Sequence, residues 1–262
     1  LAHAVLEEPR HEGFWKKIVT TISPNTVLPA TREIIHLHTT DSLKLIGELA
    51  TPEQPDATVI CVHPLPTHGG MMDSHILRKM SWRLPAMANI AVLRFNTRGT
   101  SSALGTSEGA FDASVGEGAD LAAAIEFARE RKLPNIWVLG WSFGTDVILR
   151  NLDPAGIVGV ILLSPPLRYT TEGELEQWNG TGMPIHALIP ELDDYLRPEE
   201  ASKKFASAGD IVLEPVPEAK HLWVGEKFVY LVLNRITELI APQRAPLPLG
   251  WDGPCERWSD LT

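Results

Sequence analysis

Asn135-Ile136-Trp137-Val138-Leu139-Gly140-Trp141-Ser142-Phe143-Gly144 opens as an apolar run without alternation. That is the pattern of a strand buried on both faces. The run stops at Gly140, and helical spacing takes over across residues 144–152. A serine on such a strand-to-helix turn is forced into strained backbone angles. Its neighbours two residues away must be small, because strand and helix nearly touch there. Gly140 and Gly144 meet that need. The Ser142 Oγ then stands clear of the sheet above a helix N-terminus, which favours negative charge. Gly-x-Ser-x-Gly by itself is weak, since chance supplies it in a chain this long on the order of one time in ten. The competing reading is a glycine-bounded turn whose serine only caps the helix.

The flanking text supplies a matching frame. Residues 33–39 and 43–50 read as two strands split by Thr40-Asp41-Ser42, a hairpin. Residues 57–63, 90–95, 157–163, 185–189 and 211–213 are further short β-rich runs. Between them, helices are expected from Asp73 or Ser74 towards Pro85, over 115–131, over 198–208 (opened by Pro198), and over 223–240. Strands alternating with helices at this pace predict an α/β protein, with a mainly parallel sheet, helices on both faces and an antiparallel N-terminal hairpin. Residues 1–30 read as an N-terminal arm and 31–241 as one domain. Residues 242–262, with four prolines and two tryptophans, read as a tail packed on the body.

A serine hydroxyl needs a base, and the base needs an orienting acid. In this architecture the chain order is Ser, acid, His. Two histidines follow Ser142. His186 lies inside a strand, whereas His221 follows the last strand and precedes the last helix, at the sheet edge where catalytic groups gather. The acid should follow the strand 185–189, where Asp193 and Asp194 both qualify and Glu191 lies nearer the strand. An oxyanion needs two fixed N–H donors. Phe143, next to the nucleophile, supplies one. The other should come from the loop His63-Pro64-Leu65-Pro66, where Leu65 alone between the prolines has an N–H.

Composition limits what the site can act on. The 262 residues carry 23 Lys and Arg against 33 Asp and Glu, a net charge of −10. A chain that acidic lacks the field to hold nucleic acid or an anionic membrane. Two cysteines, Cys61 and Cys255, are too few for a disulfide framework. The longest apolar run is too short to span a bilayer. The start shows no basic region followed by an apolar one, although its first residue is Leu, which leaves a removed leader open. The expected location is cytoplasmic. His36 with His38, and Cys61 with His63, offer two metal ligands at most, and no dinucleotide or phosphate loop is present, so no metal and no cofactor are expected.

Taken together, these residues resemble the α/β-hydrolase superfamily. The branch they resemble most comprises small bacterial serine hydrolases related to dienelactone hydrolases. The resemblance rests on Gly140-Trp141-Ser142-Phe143-Gly144, His63-Pro64-x-Pro66 with Gly69-Gly70, and Arg94-Phe95-Asn96-x-Arg98-Gly99. Ser107-Glu108-Gly109-x-Phe111-Asp112, Gly116-Glu117 and Lys220-His221-Leu222-Trp223-Val224-Gly225 extend it over about residues 33–240. It implies the α/β-hydrolase fold and a serine hydrolase mechanism. The acid loop of that branch reads Gly-x-x-Asp. With Pro190 in the glycine position, the register favours Asp193 over Asp194.

Where many relatives insert a lid, only residues 164–183 are available, room for a short helix near 174–178. A minimal lid and a small or open acyl pocket are therefore expected, walled by Leu65, Phe143, Trp178 and Trp223 beside His63. Arg98 and Glu117 read as ties between the loop 96–111 and the following helix. The expected activity is cleavage of small carboxylic esters with short or medium acyl chains through an acyl-enzyme, with a homodimer compatible with the sequence. A thioesterase or acyltransferase would use the same triad. A binding protein that reuses the fold is the alternative from another class.

Overall fold

The computed structural model describes residues 20–260; residues 1–19 of the expected arm lie outside them. Eight strands form one sheet: β1 (Thr31–His38), β2 (Lys44–Thr51), β3 (Ala57–Val62), β4 (Ile90–Phe95), β5 (Ile136–Trp141), β6 (Gly159–Leu163), β7 (Ile185–Pro190) and β8 (Ile211–Val216). Their order across the sheet is β1-β2-β4-β3-β5-β6-β7-β8. β2 pairs antiparallel with both β1 and β4, and the remaining pairings are parallel.

Every residue of β3, β4 and β5 is buried, which is why their sequences show no alternation. Successive side chains point to opposite faces. Ile60 and Val62 join a core under α2 (Glu117–Glu130) and α3 (Phe143–Asn151), while Val59 and Cys61 join one under α1 (His75–Ala88) and α6 (Glu226–Ile240). Cys61 is buried and Cys255 exposed, and neither is in a disulfide.

Several boundaries differ from the sequence reading by a few residues, three of them for identifiable reasons. α1 continues through Pro85 to Ala88 and ends where Asn89 adopts a left-handed conformation. β8 extends to Val216, because pairing along the whole of β7 overrides its weak pattern and Pro215. α6 begins at Glu226 rather than Trp223, because Trp223 (φ 52°) and Gly225 (φ 103°) cannot be helical.

The segment between β6 and β7 holds only α4 (Glu172–Glu176), closed by a capping box between Thr171 and Glu174, so there is no large lid. α5 (Pro198–Lys204) follows the acid loop. In the tail, Gly250–Trp251 pairs with Thr20–Thr21 and Glu256–Arg257 with Thr26–Val27, and Trp258 sits beside Trp82 and Arg78. Among the described residues no helix is long and apolar enough to cross a membrane.

Candidate active site

The turn between β5 and α3 holds Ser142 at φ 52°, ψ −119°, a conformation that costs energy for any side chain. Close packing sustains it. A Cβ on Gly140 would fall on the Gly144 backbone, and one on Gly144 would fall on the Val62 carbonyl of the neighbouring strand. The Ser142 N–H donates to Leu163 O at 2.8 Å, tying the elbow to β6.

Three loops beyond the strand ends bring the expected partners together. The Ser142 hydroxyl lies 2.8 Å from His221 Nε2. The Asp193 carboxylate lies 2.9 Å (Oδ2) and 3.1 Å (Oδ1) from His221 Nδ1. A carboxylate only accepts, so the proton of the neutral ring sits on Nδ1 and Nε2 faces the serine as an acceptor. Asp193 is 2% exposed. Its Oδ1 also accepts from the Tyr195 and Leu196 amides at 2.8 and 3.3 Å, which orient it. Asp194, its neighbour, is exposed.

Leu65 and Phe143 both line the same cleft as Ser142 and His221. Neither of their amides has a hydrogen-bond partner among the described residues. The Leu65 loop is tightened by the His68 and Gly70 amides, which both donate to Leu65 O at 3.0 Å. The cleft is open to solvent and has a volume of about 110 Å³. Phe143, Tyr169, Pro166, Tyr195 and Leu222 supply its apolar walls, with the Tyr195 ring 4.5 Å from that of His221. Buried Asp146, on the first turn of α3, fixes one wall. Its Oδ1 accepts from the Tyr169 and Thr170 amides and the Thr170 hydroxyl, while burial pushes its carboxyl above the usual range.

Leu65 and Phe143 border the cleft, but the other expected pocket residues do not. Trp178 turns inward, 2% exposed, and its indole N–H donates to Leu149 O at 3.0 Å, pinning the short lid segment to α3. Trp223 is fully buried in the core between the sheet and α6. His63 is also fully buried. Its Nε2 accepts from the Thr97 amide at 3.0 Å, so Nδ1 carries the proton and donates to Pro64 O at 2.6 Å. His63 thus holds the loop that presents Leu65. Position in a loop does not tell which way a side chain turns.

Tyr195, Tyr169 and Asp146 were not anticipated. Tyr195 lies two residues past Asp193 and was within reach of the reading. Tyr169 sits in an aperiodic segment that carries no signal. Arg98 pairs with Asp120 and Asp41, and Glu117 accepts from the Asp112 and Ser114 amides, tying the long loop to α2.

Burial pushes His63 down from 6.5 to about 4. Between those values the unfolded chain binds a proton that the folded chain refuses. Stability therefore falls as pH drops through that window, by about 3 kcal/mol from this residue. Urea unfolding between about pH 7 and pH 4.5 should show a steeper loss for the wild type than for His63→Gln. Equal slopes would contradict the assignment.

No family model matches the chain. Over 129 residues, 47% of the chain, it is 31% identical to the uncharacterized protein RP471 of Rickettsia prowazekii (strain Madrid E), and the match covers 52% of that protein. The chain thus spans about half the length of this curated relative. Among solved structures it is similar to an α/β serine hydrolase without lid, XC6422 from Xanthomonas campestris. That likeness has 24% identity, covers 86% of this chain and all of that one, and gives a TM-score of 0.64. It is also similar to an α-β serine hydrolase homologue from Coxiella burnetii (22%, 80% and 96%, 0.64). The esterase Pf2001 of Pyrococcus furiosus is a third (20%, 81% and 93%, 0.68). At these identities the likeness is one of fold, and the chain has the α/β-hydrolase fold.

Proposed function

We propose that this protein is a serine hydrolase that cleaves small carboxylic esters through an acyl-enzyme. The observation that carries the reading is the unbroken relay Asp193–His221–Ser142, each link at or below 3.1 Å, opening onto a cleft lined by Leu65 and Phe143. Ser142 Oγ attacks the ester carbonyl carbon while His221 Nε2 takes its proton. The resulting oxyanion lies between the Phe143 and Leu65 N–H groups, whose stabilisation is commonly the largest single contribution in such reactions. His221 returns the proton to the departing alkoxide, leaving Ser142 acylated. Water then attacks with the same base, and the acid and Ser142 are released. Asp193 stays ionised throughout and holds the imidazolium.

The small volume of the cleft, about 110 Å³, favours short acyl chains. The number and placement of the cysteines suit a reducing, cytoplasmic setting. On a series of p-nitrophenyl esters, kcat/KM should be highest for acetate or butyrate and lower by about tenfold or more for palmitate. A rate rising with chain length would overturn the pocket assignment. Failure to hydrolyse any of them would overturn the activity.

A further inference from the structure

The loop that carries His221 has little regular backbone structure to hold it. Glu218 (φ 61°), Trp223 (φ 52°) and Gly225 (φ 103°) all break it. On one side it leans on the acid loop, where the Leu192 amide donates to Ala219 O at 2.9 Å and Glu191 accepts from the Glu218 amide at 2.8 Å. On the other side three side chains from three different elements converge on two successive carbonyls. The Trp141 indole N–H donates to His221 O at 3.2 Å. The Ser164 hydroxyl, just past β6, donates to the same oxygen at 3.1 Å. His75, at the start of α1, donates from Nε2 to Leu222 O at 2.6 Å, and its ring stands edge-on to that of Trp141, 5.3 Å between centroids and 87° between planes.

Trp141 and Ser164 are 2% and 1% exposed, so water does not compete for these bonds. Trp141 is also the residue directly before Ser142. The elbow that sets the nucleophile therefore sets the base as well, through one rigid indole.

From this convergence we infer that Trp141 and Ser164 are positioning residues, which hold the His221 backbone so that Nε2 stays within reach of Ser142 Oγ. The inference rests on the serine hydrolase reading of the site. Asp193 fixes the rotation of the imidazole, whereas Trp141 and Ser164 fix where its Cα stands. Both contributions are needed, because displacing a catalytic group by about 1 Å can cost on the order of a hundredfold in rate. Because the two donors share one acceptor, either alone keeps part of the restraint, and removing both releases it.

The test compares wild type, Trp141→Phe, Ser164→Ala and the double variant on p-nitrophenyl acetate, with the rate of fluorophosphonate inactivation and the melting temperature measured alongside. Phenylalanine keeps a ring against His75 but has no donor, and alanine removes only a hydroxyl. Each single variant should lose about tenfold in kcat and the double about a hundredfold or more, with KM within about twofold of wild type and inactivation slowed in parallel. Should Trp141→Phe fail to fold, Ser164→Ala alone gives the decisive comparison. An active wild type with an unimpaired double variant overturns the positioning role and leaves the hydrolase reading standing. Loss of kcat and KM together, in step with melting temperature, overturns it too, since that is a packing defect. An inert wild type overturns the hydrolase reading and this inference with it.

Discussion

Ser142→Ala is expected to lower ester turnover by about 10⁴-fold or more while leaving the far-UV circular dichroism unchanged. The loss follows from removing the atom that forms the acyl bond. The fold should survive because the strain at Ser142 belongs to its backbone, at φ 52° and ψ −119°, and alanine carries the same strain. The hydroxyl's bond to His221 Nε2 is worth about 1 kcal/mol, small against the packing of Gly140 and Gly144 that sustains the turn. Retained turnover in a folded Ser142→Ala protein would sink the assignment of the nucleophile.

The second large effect separates two adjacent acids. Asp193→Asn should cost about 10⁴-fold in kcat. The amide NH₂ that replaces an accepting oxygen faces His221 Nδ1 and favours the tautomer with its proton on Nε2, which cannot take another from Ser142. Asparagine can still accept from the Tyr195 and Leu196 amides, so the loop should keep its shape. Asp194→Asn changes an exposed side chain that makes none of these contacts, and its activity should stay within about twofold of wild type. Steady-state kinetics on the two variants side by side decide the matter. Equal, small losses would mean that neither acid orients the base.

Much of this was legible in the sequence because the constraints were local. The elbow needs glycine two residues either side of the serine, and no other residue fits, so the chain writes it plainly. The buried strands β3, β4 and β5 announce themselves by apolar runs without alternation. His221 was separable from His186 because one follows a strand and the other lies within one. Indeed His186 lies 2.7 Å from Glu214 of β8, whereas Ser142 is paired with His221. What stayed hidden depended on long-range contacts. Trp178, Trp223 and His63 lie in loops, yet each is buried in the protein, and only the assembled core decides that. The short pairings of the tail with residues 20–21 and 26–27 have no pattern of their own. Proline within α1 is tolerated because the helix is packed on its neighbours, with Pro85 itself buried, so tertiary context outweighs a local breaker. The clamp of Trp141 and Ser164 on His221 O joins residues 80 and 57 positions apart, beyond any local reading.

Whether Ser142 is an activated nucleophile is read by intact-mass spectrometry after incubation with a fluorophosphonate. A single phosphonyl adduct is expected on the wild type and none on Ser142→Ala. No adduct on the folded wild type, or an adduct that persists on Ser142→Ala, would contradict that assignment.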